Sequence, residues 1–289
     1  LVCRFLVRYA TQLRPLVSFL PLPKLLSDVL NHFERPGHLY VFTRALQAEL
    51  PDASVEALRK ARYRQHVAGR LVPVSRGADP WLIVPLQYSM SGSPPLEVWL
   101  DSYLRKTLQV TYYLGLLSAA EVYGASPYAV MVTQVMVAHK RRPVVVGRHT
   151  IVFCTRTRIE TLPLRWHETP DGRVRVSTPE LTVLDLIQRA EAVGGMGRVR
   201  EVVQGLWSQC SSESFIEALN ATQNLPVGQR LGVLMEVDSQ MWMAAAVAAW
   251  LEGKPIRGIG LEGMLPQDSR TDGTLNMRFK VWIADSFQG

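Results

Sequence analysis

A basic helix followed at once by a hairpin is written into residues 51–87, PDASVEALRKARYRQHVAGRLVPVSRGADPWLIVPLQ. Pro51, Asp52 and Ser54 are helix-start residues, and Gly69 is a stop. At about 100° per residue, Ala57, Leu58, Ala61 and Ala68 fall to one side, and Arg59, Arg62, His66 and Arg70 to another. One face is thus expected to pack and the other to be cationic. Two short apolar runs follow, Leu71–Val74 and Trp81–Pro85, separated by the turn-forming residues 75–80.

The preceding segment completes a pattern. Residues 23–33 predict a helix with Leu25, Leu26, Val29 and Leu30 on its apolar side, and Thr43–Leu50 a short helix capped by Thr43. Helix, short helix, basic helix and hairpin is the order of a winged helix-turn-helix. In that motif the basic helix enters the major groove and the wing meets a neighbouring phosphate or the minor groove. The candidate DNA-binding residues are Arg44, Ser54, Arg59, Lys60, Arg62, Arg64, His66 and Arg70, with Arg76 at the hairpin tip. A basic helix can also be no more than a solvated face; the two helices before it and the hairpin after it favour DNA.

Charge supports the same division. Of a net +7 over 289 residues, residues 1–89 hold 12 Lys+Arg against 6 Asp+Glu, and residues 90–289 hold 20 against 19. Nearly all the excess positive charge lies with the expected winged helix, as for a nucleic-acid module joined to a neutral effector region. Three dispersed cysteines, Cys3, Cys154 and Cys210, suggest neither a disulfide framework nor a zinc site and fit a reducing cytoplasm. No apolar run approaches the ~20 residues of a membrane span. Residues 1–22, apolar with three interspersed arginines, read as an N-terminal extension, either a packed helix or poorly ordered sequence.

Residues 89–95, SMSGSPP, read as a linker between a domain at 23–89 and one at 96–209. Beyond it the sequence predicts a helix over 96–108, a helical stretch over 111–124 with Gly124 as its stop, and a strand buried on both faces at 128–138. A second strand is expected at 149–155, and a hairpin turns at 170–172. Ser177 and Glu180 have capping-box spacing before a helix to Ala190, and a further helix is expected over 197–208. Residues 210–289 read as mainly helical, over 214–221, 226–237 and 240–251, closing with strands at 257–261 and 275–284. The expected class is α+β: a winged helix-turn-helix, a mixed α/β domain, then a mainly helical C-terminal region.

Three pieces then recur in a known order. They are Tyr112–Ala120 with Gly124, Val176–Thr182 with Leu184-Asp185-Leu186, and Arg230–Met235. Behind an N-terminal winged helix, this set resembles the AbiE-type antitoxins of type IV toxin–antitoxin systems, which act in abortive phage infection. The resemblance covers roughly residues 23–284. It implies a bifunctional chain that represses its own operon by binding promoter inverted repeats. It also implies neutralisation of a nucleotidyltransferase-like toxin, in several systems without a stable complex. Tyr112, Tyr113, Ser118, Glu180 and Asp185 read as folding residues rather than an active site. Lys140, Arg141 and Arg142 form a basic turn, either a solvated tip or a second contact for DNA or for antitoxin action.

Two other classes compete. A nuclease needs convergent carboxylates on strands. The Glu252-Gly253-Lys254 run precedes a proline and reads as a turn, no phosphate-binding loop is present, and Gly194–Gly197 follows a helix as a stop. No enzyme activity, metal or cofactor is expected. A plain DNA-binding regulator with a ligand-sensing C-terminal domain is the remaining alternative.

Overall fold

The computed structural model describes residues 25–34, 39–75, 78–127, 130–169, 172–262, 273–284 and 287. The N-terminal extension at 1–22, Arg76 and most of the 170–172 turn lie outside them.

Helix α1 (Leu26–Glu34) buries Leu26, Val29 and Leu30, an i, i+3, i+4 stripe. Leu25 is 62% exposed, contrary to the stripe read from sequence. It precedes the first turn, and its amide donates to Asp28 Oδ2 instead. Strand β1 (Tyr40–Val41), α2 (Thr43–Glu49), α3 (Val55–Val67), β2 (Leu71–Ser75) and β3 (Ala78–Ile83) follow. The strands form an antiparallel sheet in the order β1-β3-β2. Leu46, Leu58, Leu71 and Ile83 close a small core over α1. This order is compatible with the expected winged helix.

Thr43 does not cap α2 as expected. The N-cap is Phe42, which has no side-chain oxygen to offer. The Thr43 amide and hydroxyl both donate to the Asp79 carboxylate, at 3.0 and 2.6 Å, so the cap is supplied by β3.

The 89–95 segment is not a free tether. Residues 86–91 form a 3₁₀ turn that exposes Leu86 and Met90, but Ser93 and Pro94 are buried. The Pro94 carbonyl accepts a 3.0 Å bond from His149 Nε2. Gly147, at φ +56°, lies so close that a Cβ would sit 2.8 Å from Ser93.

Next comes α4 (Leu96–Asp101), which continues through a π-helical stretch, Ser102–Thr107. It lays Leu96, Trp99, Leu100, Tyr103 and Leu104 on a six-stranded sheet. The strands are β4 (Tyr112–Leu114), β5 (Thr133–Val137), β6 (Val144–Val146), β7 (His149–Thr155), β8 (Leu164–Thr169) and β9 (Gly172–Ser177). Their order is β6-β7-β5-β4-β9-β8, with β4–β9 and β5–β7 parallel and the other pairs antiparallel. Side chains alternate: Tyr112, Leu114, Val135 and Val137 meet α4, while Tyr113 and Met136 point to the opposite layer. The expected helical stretch at 111–124 thus begins with β4. Its run of Tyr112, Tyr113 and Leu114 is buried on both faces, and only Leu116–Val122 (α5) is helical.

Helices α6 (Pro179–Gln188), α7 (Ala190–Val193), α8 (Met196–Gln204), α9 (Ser212–Thr222), α10 (Leu225–Val237) and α11 (Met241–Leu251) build that opposite layer. The α6 cap is Thr178, which accepts from the Leu181 amide, not Ser177. Ser177 is the buried end of β9, bonded to Leu114 O and to Thr182, and Glu180 accepts the Ser211 amide at 3.1 Å. The expected strand at 275–284 is a hairpin, β11 (Gly273–Asn276) and β12 (Val281–Ala284), beside β10 (Ile259–Gly260). One apolar core runs from Tyr113 and Met136 through α6 and α10 to Phe279 and Phe287. Residues beyond 210 therefore cover the same sheet rather than forming a separate helical unit.

Candidate nucleic-acid interface

Helix α3 starts where Ser54 Oγ accepts the Ala57 amide at 3.2 Å, and it stops where Gly69 takes φ +73°. Leu58 is its buried residue, with Ala61 half-buried beside it. Ala57 and Ala68 are exposed, so the packing face is narrower than the sequence reading had it. The outward face carries Glu56, Arg59, Lys60, Tyr63, Arg64 and Val67, spaced by three and four residues. Tyr63 and Val67 are 67% and 69% exposed, with no other described element over them. Arg59 donates two hydrogen bonds to Glu56, at 2.8 and 3.0 Å, which hold the Glu56 carboxyl below its ordinary range. Lys60 lies 3.9 Å from the same carboxylate. One acid thus faces Arg59, Lys60 and Arg64, and the face stays cationic.

Arg62 and Arg70 do not share that face, whereas His66, seven residues after Arg59, is exposed beside it. Arg62 turns under the helix to the Thr43 hydroxyl, lies 3.9 Å from Asp79 and stacks 5.0 Å from the Trp81 centroid. The reason was in the spacing: four residues after buried Leu58 is about 40° around a helix, far nearer the packed side than Arg59 is. His66 Nδ1 sits 2.8 Å from the Leu71 carbonyl, and its ring meets Trp81 edge-on. Arg70 pairs with Glu34 at 3.0 Å and bonds Asn31, tying the end of α3 to α1. Sequence reasoning missed Tyr63, whose position between Arg59 and Val67 was a legible signal.

Arg44 is exposed on α2, 5.7 Å over the Phe42 ring. Lys140 and Arg142 are exposed and Arg141 half-buried in the connection from β5 to β6, whose strand packs beside β2. The charge of Arg141 reaches Tyr103, whose hydroxyl is pushed up by burial.

A second polar cluster is internal. Tyr113 donates to Asp185 Oδ2 at 2.7 Å, and Arg156 lies 3.3 Å from Asp185 Oδ1. Asp185 is 1% exposed, and burial raises its pKa against the pull of Arg156, Tyr113 and Arg189. The cluster binds β4 to α6 and is closed to solvent. Among the described residues no group of His, Cys, Asp and Glu is arranged to hold a metal, and no helix is long and apolar enough to cross a membrane. The Glu252–Lys254 run is a turn after α11, with Lys254 packed over Trp250.

Fold and site together define an α+β protein in which a basic helical module precedes a sheet covered by helices. Residues 113–237 match the family model described as the AbiEi antitoxin C-terminal domain. The match covers 125 of the 289 residues and makes that segment similar to the C-terminal domain of AbiEi antitoxins, which supports an antitoxin of a toxin–antitoxin system. The crystal structure of the RV2827C protein from Mycobacterium tuberculosis has the same fold over 90% of this chain and 92% of that chain. Its TM-score is 0.61 at 15% identity. No curated protein matches the chain.

Proposed function

We propose that the chain is an antitoxin and also a DNA-binding repressor of its own operon, with α3 as the reading helix. The observation that carries the reading is the outward row Arg59, Lys60, Tyr63 and Arg64, cationic and uncovered by any other described element. Solvent-facing cations on the third helix of such a module fit the phosphates and base edges of a major groove. Arg44 extends the row from α2, and Ser54 serves it by fixing the helix start. The operator is an inverted repeat in the promoter, and the neutralised toxin is of the nucleotidyltransferase type, in a type IV system of phage defence in the cytoplasm.

The test pairs two readouts. Titration of the promoter duplex with the Arg59→Ala, Lys60→Ala double variant should show weaker binding. The slope of log affinity against log salt should become shallower by about 0.9 for each phosphate no longer neutralised. Growth rescue against the toxin, with the antitoxin expressed from a foreign promoter, should be unchanged. Wild-type operator affinity in that variant would remove α3 from the interface. Replacing Lys140, Arg141 and Arg142 together by alanine tests the other basic segment in the same two assays.

A further inference from the structure

A separate cationic surface lies on the β8–β9 hairpin, away from α3. Trp166 stands opposite Arg175 in the strand register, and Glu168 stands opposite Arg173, so these four side chains share one face. Three guanidinium groups converge on the Trp166 ring: Arg173 at 4.6 Å, Arg105 at 5.5 Å and Arg175 at 5.9 Å from its centroid. The ring holds each planar group by cation–π attraction and restricts its motion. Gathering like charges is unfavourable unless anions offset them. Asp101 lies 3.4 Å from Arg105, and Glu168 lies 3.9 Å from Arg173 across an exposed gap. Among the described residues Arg175 meets no carboxylate, so one positive charge of the set is left for an anion from outside. Trp166 itself remains 37% exposed.

From this arrangement we infer that the hairpin face of Arg105, Trp166, Arg173 and Arg175 binds single-stranded nucleic acid, independently of operator binding by α3. Oriented guanidinium forks take phosphate oxygens, and the exposed part of an indole takes an unpaired base. A duplex keeps its bases stacked on each other and can use only the charges. The aromatic at the centre of the cations therefore selects the single strand.

The test uses the full chain and a single-stranded RNA of about twelve nucleotides, within the usual span of such sites, with its DNA counterpart and the matching duplexes as competitors. Trp166→Ala should lower single-strand affinity about tenfold, while Trp166→Phe, which keeps a stacking face, should retain most of it. Arg173→Ala, Arg175→Ala should flatten the salt dependence by about 1.4, at about 0.7 for each phosphate no longer neutralised. Arg105→Ala, on the helix rather than the hairpin, gives the same direction of effect should the strand variants unfold in a thermal melt. Arg59→Ala, Lys60→Ala should leave single-strand affinity unchanged, which separates this site from the operator reading. The inference is overturned if the hairpin variants bind single strands like wild type. It is equally overturned if the arginine variants lose affinity while Trp166→Ala does not, or if wild type takes the duplex in preference.

Discussion

The hydroxyl of Tyr113 donates a 2.7 Å hydrogen bond to Asp185 Oδ2 across 72 residues of chain, joining β4 to α6 in the closed interior. Both residues lie in the segment that matches the antitoxin family, and neither reaches solvent. Their role is to fix the helical layer on the sheet. Tyr113→Phe would leave a buried carboxylate with one fewer donor, a loss of about 1–3 kcal/mol in unfolding free energy by urea titration. The pH dependence has a definite sign. Burial holds the Asp185 pKa above its unfolded value. Its contribution is therefore fully present below the unfolded pKa and is lost as pH rises through the folded one. The stability of wild type relative to Asp185→Asn should fall with rising pH; a relative stability that rises instead would mean the carboxylate is held low, not raised.

Gly232→Ala should destabilise the protein even though it places the better helix former inside α10. Propensity alone favours the change by about 1 kcal/mol. The added Cβ, however, would fall 2.1–2.5 Å from the ring of Phe279, itself fully buried. Overpacking of that kind costs about 1–3 kcal/mol, so the net change should be a lowered melting temperature. Phe279→Leu in the alanine background should recover part of the loss.

The elements legible in sequence were those whose signal is local. Ser54 and Gly69 bounded α3, and strand β7 spans the expected His149–Thr155. What misled was most often a partner distant in the chain. Thr43 looked like a cap, but Asp79 supplies the acceptor from 36 residues away. Strand β4 hid inside a helical pattern because its three residues are buried on both faces and show no alternation. At the site, the cationic composition of α3 was plain, but which cations face outward depended on Glu34, Asp79 and Trp81, and those contacts carry no periodicity. The Trp166 cluster was invisible for the same reason: its arginines come from a π-helical turn and from β9, and its ring from β8.

Limited proteolysis should cut between the two parts of the chain within 86–91 and spare 93–95. Met90 is 99% exposed in the 3₁₀ turn, whereas Ser93 and Pro94 are buried against Gly147 and His149. Cleavage requires a segment to open, and buried backbone opens least. Gly147→Ala would strain a φ of +56° and press on Ser93, so it should extend early cutting to 93–95. An unchanged digestion pattern in that variant would show that this close approach does not hold the segment.

Arg59 and Arg62 lie three residues apart on one helix, and their alanine variants should fail in different assays. Arg59 is 68% exposed in its side chain, and its partner Glu56 is also open to solvent, so removing it costs little stability. Arg62 is 18% exposed and holds three things together: the Thr43 hydroxyl, the charge of Asp79 and the face of Trp81. Its removal should lower unfolding free energy by about 1–2 kcal/mol, by taking its hydrogen bond from Thr43, its charge from beside Asp79 and the cation–π attraction from Trp81. Arg70→Ala should behave likewise, because Glu34 and Asn31 on α1 are left without their guanidinium. Paired urea titration and promoter-duplex binding separate the two kinds of residue. Arg59→Ala should bind DNA less well with unchanged stability, and Arg62→Ala should be less stable first and lose DNA binding only to the extent that α3 shifts. Raising the temperature should therefore widen the binding defect of Arg62→Ala but not that of Arg59→Ala. If Arg62→Ala keeps full stability and binding drops sharply, the side chain swings out to the groove on binding, and the inward geometry belongs to the free protein alone.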